Sequence, residues 1–246
     1  LENTNRFYSN LLSSAHEISI EKSSSLIDAV NSSLTQRKTA ESFLQEIHPL
    51  QQLRYISIEI CSCFHEQTSI NKDKLIVSMA YCLGEDCVNW QWVDFQAVRG
   101  GLSLNELTTN EKTPFYRLMK GQIGSNFIYI NDKAKAKAKD EYVSDERDKK
   151  NRDLGSLVAT EISVEASTKT MARLILSVSS YSKKISNDDS EEVLCVVEEN
   201  LQAIFTQFEE QIRTELSLLY LQREHQAENK NPAEDVGCLT TAEGTL

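Results

Sequence analysis

The chain has 246 residues, 40% hydrophobic and 26% charged, proportions ordinary for a soluble protein with a real core. Its formal net charge of −11 disfavours sequence-independent binding to nucleic acid, which needs a basic surface to displace counterions, and disfavours docking on anionic lipid. Three prolines and eight glycines favour helices with a modest sheet over a strand-rich sandwich, and no run of about 18 apolar residues is present to span a membrane.

The length allows one large domain, or a medium one with helical extensions. No signal peptide is recognisable, and Leu1 in place of Met reads as a fragment that an upstream membrane segment or a downstream output domain would complete. Six cysteines (Cys61, Cys63, Cys82, Cys87, Cys195 and Cys238) lie mostly in apolar runs, as reduced cysteines do, so a cytoplasmic location is expected.

The first 25 residues are serine-rich, with Phe7, Leu11, Leu12, Ala15 and Ile18 at helical spacing. A clearer helical pattern follows through Leu26, Ile27, Val30, Leu34, Phe43, Leu44 and Ile47. Pro49 is expected to stop it, because the residue before a proline avoids helical backbone. The period then changes to two: Ile56, Ile58 and Ile60 alternate with Tyr55, Ser57, Glu59, Cys61 and Cys63, which predicts a strand over 53–64. A polar turn leads to Leu75–Leu83 as its hairpin partner, and residues 88–98, with both tryptophans, read as a third strand ended by Gly100 and Gly101.

A short helix is expected over 114–119, with Thr113 as N-cap and Pro114 in first position. Residues 127–132 read as a short strand. Between 131 and 153 there are eight Lys or Arg and seven Asp or Glu with few apolar side chains, which predicts a mobile excursion over one sheet face. Strands at 154–164 and 171–179 then precede a long acidic helix, opened by N-cap candidates at 187–190 and by Glu191 and Glu192. Leu194, Val197, Leu201, Ile204 and Phe208 fall in steps of three and four, an a/d seam that continues after a shift of register to Ile212, Leu216 and Leu219. A helix of about 40 residues extends about 60 Å, so its C-terminal half is expected to need a second copy as partner. The tail beyond 231 reads as disordered.

Three stretches and the order of the parts carry a resemblance. Residues 153–160 read DLGSLVAT, a Gly-Ser pair before an apolar run; residues 173–180 read RLILSVSS; residues 184–189 read KISNDD just before the last helix. With the strand that ends in Asp132 before a variable segment, this order resembles the GAF domain over roughly residues 36–210. Ala172-Arg173 stands where that family often has glycine, its phosphodiesterase-type pattern for cyclic nucleotides is not intact, and the chromophore-linking cysteine of phytochromes has no counterpart.

The resemblance implies an α+β fold with a central antiparallel sheet of about five to six strands, flanking helices, and long N- and C-terminal helices. It divides the chain into a helical lead-in at 1–35, a GAF-like domain at 36–210, a helical extension at 211–230 and a tail at 231–246. It also implies a pocket under the variable segment, around which Tyr81, Trp90, Trp92, Phe95, Tyr116, Phe127, Tyr129 and Asp132 are candidate ligand-binding residues. Aromatics with a few polar neighbours suit a small ligand, and equally suit a sheet core.

Cys61, Cys63, Cys82 and Cys87 would be neighbours on adjacent strands, a metal or redox arrangement, but their spacing lacks the tight pairs of zinc modules, and simple packing is the better expectation. The lysines from Lys133 to Lys139 read as a solvated loop. No P-loop, G-x-G-x-x-G or H-E-x-x-H is present, so no catalytic residue, metal or cofactor is assigned. The expected function is a cytoplasmic regulatory or sensory domain of a signalling protein. It would bind a small ligand or partner, form a homodimer through its terminal helices and pass the change to an output domain, with no nucleic-acid or membrane contact. The alternatives are a structural dimerisation or interaction module without a ligand, and a thiol-dependent redox enzyme or sensor.

Overall fold

The computed structural model describes residues 47–122, 124–166 and 169–230, together with residues 13, 18–20, 22 and 24 of the N-terminal stretch. The helical patterns expected before residue 47 and the tail beyond 230 otherwise lie outside the described residues, as does Cys238.

Pro49 begins a helix, and the one it is expected to stop lies outside the described residues. In α1 (Pro49–Thr68) it occupies the first turn, where its missing N–H costs nothing, and His48 is the N-cap. Gln52, Leu53, Ile56, Ile60, Cys63 and Phe64 recur at helical spacing and are buried, whereas Ile58 is 58% exposed. This corrects the strand predicted over 53–64. The isoleucines at 56, 58 and 60 mimic a period of two, but the wider set from Gln52 to Phe64 follows 3.6.

The sheet has five strands, β1 (Leu75–Leu83), β2 (Gln91–Trp92), β3 (Phe127–Ile130), β4 (Leu157–Ala166) and β5 (Lys169–Ser180), in the order β2-β1-β5-β4-β3. All neighbours are antiparallel. The partner of β1 is β5, in register from Leu75↔Ser180 to Leu83↔Ala172. The third strand expected over 88–98 shrinks to two residues at the sheet edge, and residues 95–100 are turn.

Both faces of the sheet are covered, and strand alternation sorts the side chains between them. On one face Val77, Met79, Tyr81, Phe127, Val158, Leu174, Leu176 and Val178 pack with α1 and the last helix. On the other, Ala80, Cys82, Ile128, Leu157, Ala159 and Ile175 pack under four short helices. These are α2 (Leu104–Thr109), α3 (Pro114–Met119), α4 (Lys133–Ala138) and α5 (Glu146–Lys150). Thr113 caps α3 by accepting from the Tyr116 N–H, as expected. Helix α2 opens on a capping box of Ser103 and Glu106. The segment 131–153 is not a mobile excursion: it forms α4 and α5 and closes this second layer.

Helix α6 (Glu191–Lys230) is the long C-terminal element. It runs antiparallel to α1, with Phe64 against Phe205 (centroids 5.5 Å apart) near one end and Gln222 donating to the Ile47 carbonyl (2.8 Å) at the other. Leu201, Ile204, Phe208, Ile212, Leu216 and Leu219 are all buried in the chain's own core. Ile212, Leu216 and Leu219, which fall in the expected extension, thus pack within the chain's own core. Those six positions advance 3.6 residues per step on average, the repeat of a straight helix, so the stripe stays on the domain-facing side. Each such buried side chain contributes about 1.5–3 kcal/mol. Leu194 and Val197 are only half-buried, and Val193 and Val196 are exposed. From the N-terminal stretch, Ile18 is buried in the same core and Lys22 pairs with the buried Glu215 at 2.7 Å. Among the described residues no helix is long and apolar enough to cross a membrane.

Truncating Ile60 to alanine is expected to cost about 2–5 kcal/mol, and Ile58→Ala under about 0.5 kcal/mol, in urea unfolding. A strand with both residues on one buried face would make the two losses alike.

Candidate functional site

A cavity of about 100 Å³ lies between the second face of the sheet and its helical cover. Its floor holds Ser78 on β1 with Ser177 and Ser179 on β5, in a largely apolar setting of Ile76, Leu157, Ala159 and Ile175. The Ser78 and Ser177 hydroxyls share a 2.7 Å hydrogen bond across the strands. Trp92, Phe115 and Tyr142 form walls, and Asp145 and Tyr181 occupy one end. Pockets for drug-sized ligands run to roughly 300–1,000 Å³, so this one fits only a small molecule.

Behind that end is a buried polar cluster. Lys133, 0% exposed, donates from Nζ to Asp148 Oδ1 and to the Ser180 carbonyl, both at 2.9 Å, and lies 3.9 Å from the centre of the Tyr181 ring. The second oxygen of Asp148 accepts from the Tyr142 hydroxyl (2.6 Å) and from the Asp145 N–H (3.0 Å). Asp145 accepts from the Asp148 N–H (2.7 Å) through one oxygen and from the Tyr181 hydroxyl (3.0 Å) through the other. This reciprocal arrangement is the capping box of α5. Burial lowers the Lys133 ammonium pKa against the pull of Asp148. Burial also raises the phenols of Tyr142 and Tyr181, with Asp148 and Asp145 respectively adding to the effect. The Asp145 carboxyl stands above the usual carboxylate range, chiefly through burial.

The Gly-Ser pair of the 153–160 stretch holds this cluster to the sheet. Gly155 has φ +118°, and a Cβ there would collide with the Ser180 carbonyl, so only glycine lets the two segments meet. Its carbonyl accepts from the Lys133 N–H (3.1 Å). Ser156 donates from Oγ to the Asn131 carbonyl (2.6 Å), while its N–H reaches Ser180 Oγ (2.9 Å).

The eight residues proposed from sequence are not brought together. Trp92 lines the cavity. Trp90 packs edge-on against Phe115 (centroids 5.0 Å apart) and, with Tyr81, borders a separate groove at the sheet edge. Tyr81 and Phe127 belong to the core of the opposite face, with Tyr129 packed against it. Phe95 is 64% exposed, Tyr116 is half-buried on α3, and Asp132 caps α4 through the Lys135 N–H. The polar groups that do converge (Lys133, Tyr142, Asp145, Asp148, Tyr181) were missed. Their one sequence signal is the D-x-x-D cap at 145–148.

The cysteines do not form a cluster. Cys61 and Cys63 lie on α1, while Cys82 and Cys87 form a disulfide on the other side of the sheet, which overturns the expectation of reduced thiols for that pair. Burial raises the Cys61 thiol pKa, opposed by Lys72. Comparison with family models, curated proteins and solved structures finds no match for this chain.

Asp148→Asn leaves the buried Lys133 ammonium without its counter-charge and is expected to cost about 3–5 kcal/mol in urea unfolding, most of it recovered in Lys133→Met/Asp148→Asn. Asp145 gives a pH-dependent signal. Its folded pKa is raised, so the stability it contributes is present below the unfolded value and lost as pH rises through the folded one. Asp145→Asn keeps a good N-cap and cannot titrate. The stability of the wild type relative to this variant should therefore fall with rising pH above the ordinary carboxylate range, measured by urea unfolding at stepped pH.

Proposed function

We propose that this chain is a GAF-like regulatory or sensory domain that binds a small ligand or partner at the cavity and transmits the event through its terminal helices. One observation carries this reading: β1, β4 and β5 floor the cavity with one face and carry α1 and α6 on the other. Occupancy that shifts β4 against β5 is therefore felt by α6 with no intervening layer. Tyr142, Val143, Asp145 and Arg147 of the variable segment share the cover of the cavity with residues between 98 and 115, which supports a pocket at this place.

The helix that would carry the signal exposes Val193 and Val196 beside half-buried Leu194 and Val197, an apolar start suited to homodimer contact or an output domain. A cytoplasmic location remains part of the proposal, supported by Cys61 and Cys195 outside any disulfide; the Cys82–Cys87 bond pulls the other way. The second reading, an interaction module without a ligand, draws support from the mutual hydrogen bonds of Ser78 with Ser177 and Asp145 with Tyr181, which leave few cavity groups unsatisfied.

Light scattering over a wide concentration range, with a thermal-shift screen of small metabolites, separates the two. The regulatory reading expects a dimer that Val196→Asp disperses, and a ligand at 100 times its Kd adding about 2.7 kcal/mol of stability. A dimer without any ligand supports the module, and a strict monomer without any ligand removes the regulatory reading.

A further inference from the structure

We infer that the cavity, taken as the ligand site of the regulatory reading, selects a neutral molecule of one ring that carries a hydroxyl. The Ser78–Ser177 pair is the first reason. Two hydroxyls that share one hydrogen bond spend one proton between them, and the other proton has no acceptor among the described residues. Ser177 is paired through its backbone with Ser78 of β1 on one side and Ala159 of β4 on the other. The surface that this half-buried residue keeps is therefore on its side chain, facing the cavity. A ligand hydroxyl fits there, because it accepts the spare proton of one serine and donates its own to the other, closing a ring of three hydroxyls.

Charge is the second reason. The lining holds one carboxylate and one guanidinium, Asp145 and Arg147, and both are engaged within the protein. Asp145 accepts from the Asp148 N–H and the Tyr181 hydroxyl, and Arg147 donates to the Ala97 and Arg99 carbonyls. A charged ligand would give up its hydration here without a free counter-charge, a cost that a neutral one avoids. The Thr113 hydroxyl is spent on the Leu107 and Asn110 carbonyls, so the serine pair is where a polar group of the ligand is drawn. Size and walls complete the class. A cavity of about 150 Å³ takes benzene, so one of about 100 Å³ takes a single ring at most. Trp92, Phe115 and Tyr142 offer that ring aromatic contact, and half-buried Trp92 has surface left to cover.

Titration of the full chain with phenol, toluene and benzoate, followed by calorimetry and by the indole N–H resonance of Trp92, tests the class. Phenol should move that resonance saturably and bind about tenfold more tightly than toluene or benzoate, the worth of one well-made hydrogen bond. Ser78→Ala/Ser177→Ala should bring phenol down to the affinity of toluene, while an unchanged Trp92 resonance in the unliganded variant shows the cavity intact. The inference is overturned if phenol gives no saturable shift, if toluene or benzoate binds the wild type as tightly, or if the double variant keeps the preference for phenol. Light scattering on the phenol complex reads the regulatory proposal separately. Phenol bound through the serines with no change in association upholds this ligand class and counts against the regulatory reading alone. A screened metabolite that stabilises the chain where phenol fails removes this ligand class and leaves the regulatory reading standing.

Discussion

The second layer of this protein depends on one buried ammonium. Lys133 sits at the start of α4 and finds Asp148 on α5 and the Ser180 carbonyl at the end of β5, so a single charge ties two short helices to the centre of the sheet. Neither helix is long enough to be stable by itself. Between 131 and 153 the chain has too few apolar side chains to build a layer by hydrophobic burial alone. It does so through the pair, the capping box at Asp145 and Asp148, and two tyrosines whose rings bury the charges while their hydroxyls satisfy them. Such a network is worth little as net stability against an apolar core, but it admits few alternative arrangements.

That specificity matters because the layer roofs a cavity. The hydroxyl floor comes from β1 and β5, whose pairing is the longest in the sheet together with β4–β5, while the roof hangs from Lys133 and Gly155 at its margin. Further ties run from Asn131 to Ser186 and from Arg147 to the Ala97 carbonyl, so floor and cover are held in one arrangement around the cavity. On the opposite face the same strands press on α1 and α6, so the two layers share one set of backbones.

The sheet was legible where strands carry continuous apolar runs, because cover on both faces leaves no polar alternation to confuse. Leu75–Leu83, the strand ending at Ile130 and the β4–β5 pair all lie where the residues place them, and Thr113-Pro114 announces α3. The failures have two causes. In α1, three isoleucines at even spacing hide a longer helical set, and only the burial of Leu53, Cys63 and Phe64 with Ile56 and Ile60 decides the period. In the cavity, aromatic residues close in sequence alternate between faces: Tyr81 and Trp92 belong to adjacent strands yet serve different layers. The buried cluster was illegible for a deeper reason. Composition reports that a segment is charged, and cannot report that Lys133 and Asp148, fifteen residues apart, will meet out of water.

The long helix shows how spacing separates two fates that composition does not. A seam kept strictly at 3.5 residues drifts around a straight helix and must supercoil with a partner to stay buried, whereas a step of four in place of three restores the 3.6 repeat. The consecutive fours from Ile204 through Leu216 keep the stripe over α1 and β4–β5 along the five turns from Leu201 to Leu219, so the apparent slip of register is the device that keeps α6 on its own domain. What is left for any partner is therefore not the seam but the first turns before Leu201, where Val193 and Val196 face outward, and the far turns carrying Arg223 toward the sheet edge. Gln222 and Arg223 hold even those far turns to Ile47 and Leu83, so the stretch from Glu191 to Val197 is the part of the described helix least held by its own domain.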